Sequence, residues 1–270
     1  LISCINISIP ISKTVQNSNN NSTEEKIERN SKSTSRSGLV RILNLELPDI
    51  NSNEEITTEE DVKPTQEEQE KQEKIEVKDT YTNEYKGVKV KNLTDNIKLT
   101  ESILKPDYAV RNKKNIIIYH THTCESYTQT SKNTYKATGN YRTTDLNYSV
   151  VKVGDELAEE LKKRGFNVVH DNTKHDYPAY TGSYSRSLET VEKLLKDNKN
   201  TDILIDLHRD AVGSKGAYAP TVEINGEKVA QLMFVIGTND GGGKHPNWKN
   251  NLKFAVKVQQ KANEMYPGLF

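Results

Sequence analysis

From about Lys114 onward, short β-branched runs alternate with stretches whose apolar residues recur every three or four positions, the pattern of an α/β layer fold. "NIIIY" (115–119) has no polar face and predicts a strand buried on both sides in a parallel sheet. Residues 148–164 carry Val150, Val153, Leu157 and Leu161 at helical spacing, and Gly165 closes the helix. "FNVVH" (166–170) predicts the next strand, Leu188, Val191, Leu194 and Leu195 a second helix, and "DILIDL" (202–207) a third strand. An Asn225-Gly226 pair between apolar alternations signals a hairpin, and "WKNNLKFAVKVQQKANEMY" reads as a third helix. The expected fold is α/β, a mixed, mostly parallel sheet flanked by helices, occupying residues 111–270.

The preceding sequence has a different texture. Residues 12–110 read as a disordered polar linker, because Ser12 to about Tyr81 offers too little apolar surface to offset chain entropy; "GLVRILNLELPDI" (38–50) interrupts it as a locally sticky piece. Residues 1–11, "LISCINISIPI", are apolar but shorter than the roughly 20 residues of a membrane span, and predict the remnant of a signal or membrane anchor. Over 270 residues the hydrophobic fraction is only 33% and the charged fraction 28%, which agrees with a core confined to part of the chain. The 38 basic and 38 acidic residues cancel, leaving no electrostatic footing for nucleic-acid binding. Cys4 and Cys124 lie too far apart in kind and position to suggest a disulfide framework or a cysteine zinc site.

Two predicted strands run directly into histidine, His120 and His122 after the first and His208 after the third. Functional groups of open α/β sheets gather at the carboxyl ends of parallel strands. Imidazole and carboxylate are zinc ligands, and a catalytic zinc takes three protein ligands plus water; His122, Glu125 and His208 fit that count. His120 would share a face with His122 if the strand continued, so either can supply the first ligand, with His122 preferred as the nearer to Glu125. A lone histidine is most often structural, and His170 and His175 have no comparable setting, while His245 reads as an exposed loop residue. "DYPAYTGSYSRS" (176–187) is either a polar loop whose Ser185 or Ser187 caps a helix, or a substrate wall with Tyr177, Tyr180 and Tyr184 packing on sugar or peptide and Arg186 meeting a carboxylate. Arg142 is a further candidate for the substrate site, Asp145 reads as a helix cap, and Arg209 and Asp210 as partners that orient ligands. Cys124 lacks a base beside it and is read as incidental.

Taken in order, "IIIYHTHTCESY", "TTDLNYSVVKVGDELAEELKKRGFNVVHD", "HDYPAYTGSYSRSLETVEKLL" and "DILIDLHRDAVG" resemble the stage II sporulation protein P family, over about residues 110–265. The resemblance implies kinship with zinc-dependent N-acetylmuramoyl-L-alanine amidases, whose fold is a mixed sheet flanked by helices. It implies a peptidoglycan hydrolase of engulfment, held by an N-terminal membrane anchor outside the mother-cell membrane and facing the forespore. Such an enzyme cuts the amide between muramic acid and the stem peptide, and peptide crosslinks as well, working with sporulation proteins D and M. Carried over by residue, the two zinc histidines fall on His122, or His120, and on His208. The place of the ligand glutamate, near Thr143, holds none, and Glu125 is its substitute. The catalytic glutamate of these amidases lies on a late strand, so it is expected beyond Phe270, in a chain cut short at both ends; Glu223 and Glu264 read as residues of a hairpin strand and a solvated helix face. A non-enzymatic alternative is a wall-binding scaffold with the same fold. Barrel amidohydrolases and cupins, which also use His-x-His, fail on architecture.

Overall fold

The computed structural model describes residues 2–8, 81–110, 112–210, 219–240 and 244–270. Five strands make one sheet in the order β5-β4-β6-β1-β9: β1 (Ile2–Ser8), β4 (Asn115–Tyr119), β5 (Asn167–His170), β6 (Ile203–Asp210) and β9 (Leu232–Val235). β4 runs parallel to β5 and to β6, as the βαβ spacing predicts, while β1 is antiparallel to β6 and parallel to β9. The sheet is therefore mixed and mostly parallel. Two small hairpins stand apart, β2 (Asn83–Tyr85) with β3 (Val88–Val90), and β7 (Thr221–Ile224) with β8 (Glu227–Ala230) across Asn225-Gly226. A short α1 (Glu101–Leu104) precedes three longer helices, α2 (Val150–Lys163), α3 (Ser183–Asp197) and α4 (Trp248–Met265).

Strand alternation sorts the core into two faces. Ile116, Ile118, Ile203, Ile205 and Leu207 pack under α2 with Val150 and Ala158, flanked by Leu157 and Leu161. Ile117, Tyr119 and Leu204 pack under α3 with Val191. The buried stripe of α2 is turned slightly from the expected one: Val153 stays 38% exposed, and Gly154 takes the inward place.

Gly154 is inward because of two imidazoles. A Cβ there would come within 2.6 Å of His170 Nε2 and 2.8 Å of His120 Nε2. Neither ring is free to swing, since His120 Nδ1 donates to the Leu207 carbonyl at 2.7 Å and His170 Nδ1 meets Asp155 Oδ1 at 3.0 Å. Gly154→Ala gains about 1 kcal/mol of helix propensity, but overpacking at a fixed site costs about 1–3 kcal/mol. The expected result in urea unfolding is a net loss of stability, unlike alanine at an exposed helical site.

Two boundaries differ from expectation. Residues 81–110, assigned to the linker, are ordered from Tyr81: Tyr85, Val88 and Leu104 are buried in one cluster with Trp248, Leu252 and Val256 of α4. Short polar stretches hide this, because each buries only one or two residues and none has a detectable period. Residues 12–80 lie outside those described. Ile2–Ser8, expected as an anchor remnant, instead forms the strand between β6 and β9; an alternation of β-branched and small polar residues suits a strand as well as it suits a membrane flank. No helix among the described residues is long and apolar enough to cross a membrane.

Candidate metal centre

β4 ends at Tyr119, and residues 121–124 form a turn. This turn undoes the parity on which His120 and His122 would share a face. His120, fully buried, goes to the α2 side, where its Nε2 lies 2.8 Å from His170 Nε2 while its Nδ1 donates to the Leu207 carbonyl. Burial lowers the His120 pKa to about 4. His122 goes to the α3 side, and there it meets Glu125 and His208.

One potential ligand atom from each of His122, Glu125 and His208 lies within 4.8 Å of the others, and all three residues are buried. Tetrahedral zinc sets its ligand atoms about 3.3 Å apart, so the group would close by roughly an ångström around an ion. Two imidazoles and a carboxylate suit zinc in donor type and number. His120 lies outside the group among the described residues.

Each member is held from behind. His208 sits inside β6 rather than after it, because β6 extends to Asp210 through its pairing with β1. Asp206, two residues earlier on the same strand face, lies 3.0 Å from His208 Nε2, which leaves His208 Nδ1 on the Glu125 side, 3.7 Å from Oε2. Burial works against a charge on His208, yet Asp206 and Glu125 more than offset it and raise its pKa well above the ordinary value. Asp206 also accepts from the Thr121 amide at 2.8 Å and the Thr121 hydroxyl at 2.6 Å, locking the turn to β6. Burial opposes its charge, but His208 and Thr121 outweigh that and hold its pKa at about 2.

Glu125 is fastened through its backbone and its side chain. Its carbonyl accepts from the Val150 amide at the start of α2, its Oε2 accepts from the Arg209 amide at 2.9 Å, and it forms an isolated bridge with Arg142. Despite burial, His208 and His122 keep its carboxyl below the usual range. His122 is desolvated to a pKa of about 4, so its ring is neutral and ready to ligate. Tyr180 stacks on it at 4.6 Å and 9°, its hydroxyl 3.1 Å from Nε2; Tyr184 meets its edge at 5.3 Å, and Ser183 Oγ lies 3.3 Å from Nδ1.

The remaining candidates divide. Arg186 is a loop clamp: its Nε, Nη1 and Nη2 donate to the carbonyls of His175, Thr181 and Ala179. This uses the guanidinium that was to meet a substrate carboxylate. Helix α3 starts at Ser183, behind Gly182 at φ 82°, so neither Ser185 nor Ser187 caps it. Tyr184 does stand beside His122, and Arg142 lies over the ring of Tyr180, which itself stacks on His122, at 5.0 Å. Asp145 caps a single 3-10 turn, Leu146–Tyr148, and Ser149 caps α2. His175 is buried on the His120 carbonyl and Thr190, and His245 is buried rather than exposed. The Cys124 thiol is buried and pushed up to about 12, a poor nucleophile. Glu223 and Glu264 lie on the exposed faces of β7 and α4.

Asp206 and Asp176 were not singled out in the sequence, whereas Tyr180 belonged to the expected tyrosine wall. For Asp206 a signal existed, a carboxylate within an apolar strand at i−2 from a candidate ligand, since a buried charge needs a partner. Asp176, whose side chain is fully buried, accepts from the Cys124 amide at 3.1 Å and from Arg142 at 2.5 Å, and nothing in its neighbours reveals it.

The turn with His122, the strand with His208 and the tyrosine loop lie within a stretch that a family model covers: the chain matches Stage II sporulation protein P over residues 34–270. It belongs to the stage II sporulation protein P family. Over 170 residues it is 30% identical to Stage II sporulation protein P of Bacillus subtilis (strain 168), covering 61% of this chain and 40% of that protein. The chain thus spans about two-fifths of the length of that curated relative. No solved structure matches it. Membership places the chain among sporulation proteins.

Proposed function

We propose that this chain is the hydrolytic part of a metal-dependent peptidoglycan amidase, with a fold of the zinc-amidase type, cleaving the bond between muramic acid and L-alanine. The observation that carries this reading is the convergence of His122, Glu125 and His208 in a buried group at one edge of the sheet. A zinc ion held by these residues would polarise the scissile carbonyl and supply a water of lowered pKa. The chain's own residues hold and orient that group. Asp206 fixes the His208 ring so that Nδ1 faces Glu125, and Arg209 fixes the Glu125 carboxylate through its amide. Burial keeps His122 neutral and excludes bulk water from the group. Tyr180 and Tyr184 line the approach and offer aromatic faces to sugar and peptide.

In the cell the reading places the chain outside the mother-cell membrane, facing the forespore, with sporulation proteins D and M as partners. Purified cell wall incubated with the zinc-loaded chain is expected to release free stem peptide. A chelator is expected to stop the release and added zinc to restore it. Wall binding without release under all three conditions would favour a scaffold instead.

A further inference from the structure

Arg142 and Arg186 flank the same loop, yet they spend their guanidinium groups differently. Arg186 places all three nitrogens on backbone carbonyls. Arg142 uses Nη2 alone, on the Asp176 carboxylate and the Asp176 carbonyl, and its Nε and Nη1 meet no partner among the described residues. An arginine whose only task is to neutralise a buried aspartate closes the ion pair with two parallel hydrogen bonds. Here the Cys124 amide takes up the second half of the Asp176 carboxylate, at 3.1 and 3.2 Å from its two oxygens. The arginine is thus anchored at one corner while its side chain stays 20% exposed, against none for Asp176.

Its position is equally defined. The guanidinium lies over the Tyr180 ring at 5.0 Å, and Tyr180 stacks on His122 at 4.6 Å, so Tyr180 touches both the cation and a member of the candidate metal group. A planar cation on an aromatic face, partly exposed and with unspent N–H donors, is a receptor for a carboxylate.

We propose that Arg142 binds a carboxylate carried by the peptide part of the substrate, and that the chain therefore selects peptides with a free carboxylate over the same peptides with a carboxamide. The inference rests on the proposed wall-hydrolase reading for its substrate class, and takes over the role that the sequence suggested for Arg186. Asp176 and Tyr180 act by holding the guanidinium in place.

The test uses the full chain and two N-acylated dipeptides that differ only in a free or amidated carboxyl group. Binding is followed by calorimetry, independently of turnover. The acid is expected to bind about tenfold more tightly than the amide, the worth of one charge-assisted hydrogen bond. Arg142→Gln is expected to weaken the acid to the level of the amide and to leave the amide unchanged, and Arg142→Lys to restore part of the preference. Should Arg142→Gln not fold with Asp176 left unpaired, the double variant Arg142→Gln with Asp176→Asn removes the buried charge and carries the same expectation. Equal binding of the two peptides by the native chain, no binding of either, or a preference that survives Arg142→Gln, overturns the proposal. A retained preference for the acid in a chain that digests no wall leaves the receptor standing and fails the hydrolase reading; wall digestion with equal binding does the reverse.

Discussion

His208→Ala is expected to abolish wall hydrolysis and to lower zinc affinity by more than the roughly 10–100-fold that loss of an outer partner costs a metal site. The residue supplies one of three candidate ligands, and it also separates Asp206 from Glu125. Without it two buried carboxylates face each other across the same space. Breaking a buried pair in this way costs about 3–5 kcal/mol, so the alanine variant is expected to melt well below the native chain. His208→Gln separates the two effects, because a neutral amide can donate to Asp206 while removing the imidazole. It is expected to recover part of the melting temperature and none of the activity. Bound zinc after dialysis, thermal melts and stem-peptide release are the measurements. Native-level zinc and release in either variant would remove His208 from the centre.

Asp206→Ala carries the second largest effect, expressed first in stability. The aspartate accepts from the amide and hydroxyl of Thr121 and faces His208, while Thr121 Oγ1 also touches Ser187 of α3 at 2.9 Å. Alanine leaves a buried amide and a buried imidazole unpartnered at about 1–3 kcal/mol each, and frees the turn that carries His122. Asp206→Asn keeps an acceptor for the Thr121 amide but exchanges the carboxylate oxygen that faces the Thr121 hydroxyl and His208 for an amide donor. The asparagine variant is therefore expected to lose less stability than the alanine variant in denaturant titrations. Its zinc affinity is expected to fall by about 10–100-fold, because an orienting carboxylate has gone. If its zinc affinity matched the native value, Asp206 would be a fold residue and no more.

Much of this architecture was legible in the sequence, and the reasons are local. β4 and β6 announce themselves because runs such as Ile116–Ile117–Ile118 and Ile203–Leu204–Ile205 suit a strand buried on both faces. α2 and α3 repeat their apolar positions over fourteen and fifteen residues, long enough for a period to emerge. The pairing of His122 with His208 followed from the rule that adjacent parallel strands bring their ends together. What escaped notice depends on single long-range contacts. The fate of His120 turned on where β4 stops, one residue earlier, and on Gly154 leaving room for the ring on α2. The use of Arg186 as a clamp depended on three carbonyls whose direction is a matter of loop conformation. The ordering of residues 81–110 depended on a helix that lies some 140 positions later in the chain.

That last contact bears on how the folded unit can be isolated. Composition invites a cut near Lys114, where the β-branched runs begin. Such a fragment would uncover Trp248, Leu252 and Val256 together, a greasy strip along α4 with nothing left to lie on it. Exposed strips of that kind drive self-association, and the shortened protein would be collected as a precipitate although every ligand was present. Beginning at Tyr81 keeps that strip clothed, but β1 must be kept as well because it joins β6 to β9, so the unit is set by packing and pairing partners rather than by the first recognisable strand.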